Sequence, residues 1–282
     1  MGFIFEYDLH EAQTFLMALI DGKERQIKCL EGKTKFLEAK IKGLEGELDV
    51  IYQQMRILKS VHRYDNERIA VYTVITGGYD ELRAPDYVDE QCDYYCITDN
   101  QNLMSDFWQM IYITDDMHLG SCKLQRYVKV HPWIYFPEYQ YTLYLDGKMT
   151  ITKSLLEYIT LFSNDSPLLA FKHPDRDCSY EEGQECIRLK KDIPESILHQ
   201  LEAYQREGLP SHYGMIDSAV LFRKHHDPDL QRHHAVWWEE IKNRSRRDQL
   251  SFGYACWKTK FQYDVCPLDI YNNRYFECKP HN

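Results

Sequence analysis

The sequence predicts an α/β domain with a mostly parallel or mixed sheet flanked by helices, preceded by a long amphipathic helix. Three observations carry this. A heptad array of apolar residues runs from about Ile20 to Leu58. Beyond it, β-branched runs such as IAVYTVIT (residues 69–76) alternate with segments of helical period, the pattern of an α/β sheet. Several of these strands end in polar residues and glycine, as strands of an open α/β sheet do beside a ligand.

The heptads come first. Ile27, Thr34, Ile41, Leu48 and Met55 share one core position, and Leu30, Leu37, Leu44, Ile51 and Leu58 share the other. Lys and Glu fill the flanks, and a strict seven-residue repeat implies a left-handed coiled coil. Gly22, Gly32, Gly43 and Gly46 each weaken the helix by about 1 kcal/mol relative to Ala. The helix is therefore expected to need a partner, and a homo-oligomer through residues 20–58 is the simplest one. A single helix packed on its own domain is the alternative. Ser60 to Arg68 is polar and reads as a linker. The expected organisation is a helical coiled-coil segment at 1–60 and a second domain at 68–282.

In that domain Ile69–Thr76 reads as a buried strand running into Gly77-Gly78. Tyr94–Thr98 is a second strand ending at Asp99, and Phe107–Ile113 a third. Ser121–Val130 has helical period and carries Lys123, Arg126 and Lys129. Tyr141–Leu145 alternates like a strand and delivers Asp146 to its carboxyl edge, where Gly147 permits close approach of a phosphate or sugar. An Asp-Gly turn with no ligand is the plainer reading. Ser154–Phe162 is helical and Leu168–Phe171 a strand. Glu185–Glu207 is largely helical, interrupted near Pro194. Ala219–Phe222 is a strand, and Ala235–Ser245 and Gln249–Trp257 are helices.

Composition narrows the function. The 282 residues carry a formal charge of −10, which argues against a general nucleic-acid binder. An anionic ligand must then be met by local Arg and Lys. The nine cysteines contain no Cys-x-x-Cys pair and read as buried free thiols of a reducing compartment. No apolar run reaches membrane-spanning length. The start lacks a basic leader and has Glu6 where myristoylation needs Ser or Thr. A soluble cytoplasmic protein is expected.

Four constellations are candidates for chemistry. The strand ends Thr76–Asp80, Asp99 and Asp146-Gly147 would share one edge of the sheet. They match neither a dinucleotide fingerprint nor a P-loop. His173 and Arg176 share one loop, with Glu181-Glu182 nearby to supply a carboxylate or cap a helix. His225, His226, His233 and His234 resemble a metal cluster, without the spacing of a zinc signature. Surface histidines in a loop are the simpler account. In Arg246-Arg247-Asp248-Gln249, Asp248 is either a helix N-cap or a carboxylate facing a reacting carbon, with the arginines on phosphate.

Taken in order, AVYTVITGGYDEL, CITDN, FPEYQYTLYLDG, HPDR with YEE, YQREGLP, FRKH and WWEEI with RSRRDQLSF resemble a glycosyltransferase-like family long catalogued as a domain of unknown function. Its plant members are linked to ceramidase-type activity and seed mucilage. The resemblance covers about residues 68–265 and implies the glycosyltransferase-A fold. It implies transfer of a sugar from a nucleoside diphosphate, UDP favoured, to a hydroxyl or glycan acceptor. Asp146 then matches the first Asp of the Asp-x-Asp motif. Thr73, Tyr79 and Asp99 fall at the nucleotide, and Arg126 and Lys129 at the diphosphate or ribose. Gly147, Lys148, His173, Arg176 and Arg247 complete the donor site. Asp248 and Gln249 match the Asp-Gln that touches the donor sugar, making Asp248, Gln249 and Asp146 the catalytic candidates. His225 lies where a distal His completes the metal site with Asp146. Lys148 departs from the pattern by replacing the second Asp, the usual metal ligand. A divalent cation, Mn2+ or Mg2+, is expected, and the Lys148 ammonium could do part of its work. Two rivals stand beside this reading: a coiled-coil interaction protein with an inactive transferase-like domain, and a metal-dependent hydrolase.

Overall fold

A computed structural model describes residues 3–59, 67–164 and 166–279 of the chain. Most of the Ser60–Arg68 linker, and Met1 and Gly2 of the N-terminal reading, lie outside them. The chain divides into two compact units, Met1–Leu58 and Lys59–Asn282.

The first unit is one helix, α1 (Phe3–Lys59), of 57 residues. Its glycines do not break it. The seam residues Ile27, Leu30, Leu37, Ile41, Leu44, Leu48 and Ile51 are 42–61% exposed, so the apolar stripe stays open. Among the described residues no helix is long and apolar enough to cross a membrane.

The second unit is a layered α/β domain. Its strands are β1 (Ile69–Ile75), β2 (Cys92–Thr98), β3 (Gln109–Tyr112), β4 (Tyr141–Leu145), β5 (Met149–Ile151), β6 (Leu168–Lys172), β7 (Ile216–Lys224), β8 (Asp264–Cys266) and β9 (Phe276–Cys278). Seven form a sheet in the order β3-β2-β1-β4-β7-β6-β8, and β5 and β9 pair separately. β7 runs antiparallel to both neighbours, and the other paired strands of the large sheet are parallel. Every residue of β1 is buried. A central parallel strand covered on both faces needs such a β-branched run.

The helices are α2 (Gly120–Val130), α3 (Pro132–Tyr135), α4 (Leu155–Phe162), α5 (Ser179–Arg188), α6 (Pro194–Glu207), α7 (Pro228–Asn243) and α8 (Asp248–Thr259). Leu124 and Val128 of α2 are buried, as are Trp237 and Ile241 of α7 and Phe252 and Ala255 of α8. Buried residues of α2, α7 and α8 share one core with Ala70, Tyr72, Tyr144 and Leu221 of the sheet.

Local chemistry sets the ends. Ser154 caps α4 by accepting from the Glu157 N–H at 3.2 Å. Asp227 caps α7 ahead of Pro228, accepting from the Asp229 and Leu230 N–H groups at 2.9 and 3.2 Å. Three expectations are corrected here. The first helix of the span Glu185–Glu207 begins earlier, at Ser179, while Pro194 opens the second where the interruption was expected. α7 starts seven residues before Ala235, at its proline. Hence His233 and His234 lie within a helix and are fully buried, and His225 is fully buried too, so these are not surface-loop histidines. The short α3, β5, β8 and β9 carry too few residues to show a period.

Gly77 and Gly78, at φ +65° and +64°, turn the chain at the end of β1. The Gly77 N–H donates to both Asp99 carboxylate oxygens, at 3.0 and 3.1 Å. A Cβ on Gly77 would lie 2.6 Å from Ser121 Oγ. Gly77→Ala is expected to cost at least about 1–2 kcal/mol from the left-handed backbone alone, read as a lower urea midpoint with an unchanged slope.

Candidate active site

The carboxyl ends of β1, β4 and β6 meet the start of the reversed β7 and the N-terminus of α8 around a cleft of about 760 Å³. That is the size of a typical small-molecule site. Six Lys or Arg side chains outnumber five Asp in its lining, although the whole chain is at −10.

The floor is a buried ion cluster. The Lys129 ammonium, on α2, donates to Asp248 Oδ2 at 2.7 Å and Ser218 Oγ at 2.9 Å, and lies 3.9 Å from Asp146 Oδ1. Ser218 Oγ donates to the same Asp248 oxygen at 2.9 Å. Arg126 Nε lies 3.3 Å from Asp248 Oδ1. Burial alone would push the Asp248 carboxyl up, but Arg126 and Lys129 outweigh it and hold it well below the usual carboxylate range. For Lys129 burial pushes the ammonium down, against the pull of Asp248 and Asp146. Asp248 is the first residue of α8, not its cap, and its side chain makes no cap bond. Gln249 lines the cleft, its Oε1 accepting from Arg247 Nη2 at 3.2 Å. Arg247 Nε is buried with no hydrogen-bond partner among the described residues, a donor suited to an anion.

Along the sheet edge, Tyr144 Oη donates to Asp146 Oδ1 at 2.5 Å. Asp217, the second residue of β7, is a second carboxylate there and 5% exposed. Burial, then the Asp146 charge, pushes its carboxyl up. Lys148 sits near both: burial would push its ammonium down, and Asp146 overcomes this, so it is raised and charged. Its Nζ lies 5.4 Å from the Tyr271 ring centre. On the β6 side, His173 Nδ1 accepts the Asp175 and Arg176 N–H groups at 3.3 and 3.1 Å, which places its proton on Nε2. Arg176 Nε donates to Glu182 Oε2 at 2.6 Å, so the buried Glu182 aims that arginine rather than capping a helix.

Asp146, Lys148, Tyr79, Arg126, His173, Arg176, Arg247, Asp248 and Gln249 therefore line one cleft. Five other candidates do not. Thr73 lies on the opposite face of β1 from Val74 and Thr76, because successive strand residues alternate, and Thr76 takes its place at the cleft. Asp99 is spent on the Gly77 turn. Lys129 lies beneath the lining. Gly147 makes room for protein, since a Cβ there would fall 2.6 Å from Asp80 Cβ. His225 cannot share a metal with Asp146. Asp146 N–H bonds Ala219 O at 2.8 Å at one end of the sheet, while His225 follows Lys224, the partner of Tyr141 at the other. Six residues of strand put them about 20 Å apart. Burial also pushes the His225 imidazole down to about 3. His233 and His234 pack on each other, with Cys256 Sγ 3.3 Å from His233 Nε2, so no hydrolytic histidine loop forms.

Among the described residues Asp146 belongs to no group of three metal-type ligands. A cation there would be held as Mg2+ is, by one or two carboxylates and substrate phosphates. Asp146 and Asp217, hard oxygen donors lining the same cleft, fit that role. Thr76 and Asp80 of the first strand end and Arg246 beside Arg247 also line the cleft, as do Asp217, Ser218 and Tyr271, which had no strand-end signal.

Sheet order, reversed strand and strand-edge cleft define a glycosyltransferase-A-like α/β domain. The chain belongs to the TOD1/MUCI70 glycosyltransferase-like domain family, whose family model matches residues 56–278. No curated protein gives a significant match to the chain.

Lys129→Met leaves Asp248 buried without its closest cation and is expected to cost about 3–5 kcal/mol. Lys129→Met/Asp248→Leu should recover much of it, measured by urea unfolding. Because the folded Asp248 carboxyl lies below its unfolded value, its contribution is complete above about pH 4 and is lost as pH falls. The unsubstituted protein should thus lose stability more steeply below about pH 4 than Asp248→Asn does.

Proposed function

We propose that the chain is an active glycosyltransferase that moves a sugar from a nucleoside-diphosphate donor, UDP-sugar favoured, to a hydroxyl of a glycan or other acceptor. The observation that carries this is the cleft in which cations outnumber acids within an acidic chain. Breaking the bond to the anomeric carbon leaves a diphosphate with growing negative charge, and fixed cations stabilise that charge. Arg126, Arg247 and Lys148 would meet it. A divalent cation, Mn2+ or Mg2+, held by Asp146 and Asp217 would neutralise the leaving group further. Asp248 is ionised with both oxygens engaged, so it acts by orienting Arg126 and the start of α8 rather than by taking a proton. Gln249 would orient donor-sugar hydroxyls. Tyr79, 75% exposed at the rim, offers a face on which a base can stack.

A panel of nucleoside-diphosphate sugars, with and without Mn2+, should identify one that releases nucleotide. Asp146→Asn should lower release by at least about 100-fold, and a chelator should remove it. Release that survives chelation would assign the charge to Lys148 and the arginines. If no donor binds by calorimetry, the inactive-domain alternative takes over.

The helix supports a second part of the reading, a parallel in-register homodimer through residues 20–58. In that register Lys33 meets Glu38 of a second copy, and Lys40 meets Glu45 of it, across the seam. Light scattering should give twice the chain mass, and Leu37→Lys/Leu44→Lys should give the monomer.

A further inference from the structure

Behind the loop that carries His173 and Arg176, three ligand-type side chains converge outside the cleft. Cys178 Sγ, a Glu181 carboxylate oxygen and a His212 ring nitrogen all lie within 4.8 Å of one another. We infer that Cys178, Glu181 and His212 form a zinc site that ties the start of α5 to the loop after α6. A thiolate, an imidazole and a carboxylate are the zinc ligand types, and such a mixed soft and hard set does not suit Mg2+ or Ca2+.

Four features of the protein point the same way. Cys178 occupies the N-cap of α5, where Ser, Asp or Asn would cap the helix, yet its side chain makes no cap bond. It is only 3% exposed, and Glu181, three residues on, shares its helix face. His212 is held at φ +56°, a left-handed backbone that a non-glycine residue adopts at a cost. Its Nδ1–H donates to Asp177 Oδ1 at 2.6 Å. This is the carboxylate–histidine arrangement of zinc sites, and it leaves the Nε2 lone pair for a metal. That Nε2 already lies 3.9 Å from Glu181 Oε1. Finally, the two segments are pre-joined: Gly214 N–H donates to Asp177 O at 2.9 Å, and Tyr180 Oη to Leu209 O at 2.8 Å.

A tetrahedral zinc shell separates its ligand atoms by about 3.5 Å. Closing the trio to that spacing would move chiefly the Glu181 side chain, 52% exposed, with His212 pivoting on its bond to Asp177. Binding releases the Cys178 thiol proton to solvent. The dication, thiolate and carboxylate then sum to zero, so no net charge faces the positive end of α5. Water takes the fourth position. Because Cys178 follows Arg176 by two residues, the ion would hold the cleft loop from behind without touching donor.

The test uses the full chain, stripped of metal and titrated with Zn2+ against a chromophoric chelator, and separately with Co2+. One ion per chain should bind, and Co2+ should give intense tetrahedral visible bands with a thiolate charge-transfer band in the near ultraviolet. Cys178→Ser should remove that band. His212→Gln, at an exposed side chain that the fold does not need, should abolish stoichiometric binding. Asp177→Asn should weaken it about 10–100-fold, and His199→Gln, an exposed histidine on α6, should not change it. Absence of stoichiometric Zn2+ binding, or equal binding by His212→Gln, overturns the site whatever the donor assays show.

Discussion

The Lys129–Asp248 pair is the interaction on which the cleft depends. It joins α2 to α8, with Ser218 of β7 bonded to the same carboxylate and Asp146 of β4 within 3.9 Å of the ammonium. A charge so deeply buried has no water to fall back on, and separating it from its partner costs several kcal/mol. Four elements therefore meet at one ion pair. The frame continues inward at the end of α2. Arg223 Nη1 donates to Lys129 O at 2.6 Å and Arg223 Nη2 to Tyr72 Oη at 2.6 Å. Among the cleft cations Arg126 is held by that frame directly, its Nε 3.3 Å from Asp248 Oδ1.

One reversal of strand direction explains most of what a reading by strand ends misplaces. In a parallel sheet the ligand lies at the carboxyl ends, so Asp146 was found and Asp217, at the beginning of a strand, was not. β7 runs the other way, which brings its first residues to the ligand edge and carries His225 to the far edge. The same reversal adds one carboxylate to the site and removes one histidine from it.

Charge in this protein is arranged locally. The acids and bases of α1 nearly cancel, so the acidic total belongs to the rest of the chain, yet Arg126, Arg176, Arg246 and Arg247 converge on the cleft there. Several of these are already aimed by acids behind them: Arg176 by Glu182, Arg126 by Asp248, and Arg246 by Asp192 at 3.4 Å. An arginine held from behind keeps its remaining donors pointed at the ligand, which lowers the ordering cost of binding.

Periodicity and turn chemistry determined much by themselves. The heptads of α1, the β-branched run of β1, the Asp146 strand end and the break at Pro194 are all local signals, because neighbouring residues alone produce them. The chain order of the glycosyltransferase-like motifs was legible for the same reason. Only the tertiary structure decided which charges meet. Lys129 and Asp248 are 119 residues apart and read as a solvated helix face and a helix cap, yet burial forces them together beneath the cleft. Likewise Thr73 lies within β1 and Thr76 just past its end, three positions on, and the alternation of the pleat leaves only the second at the site. Side-chain direction, strand polarity and burial are properties of the packed chain, and they set the difference between a residue near a site and a residue in it.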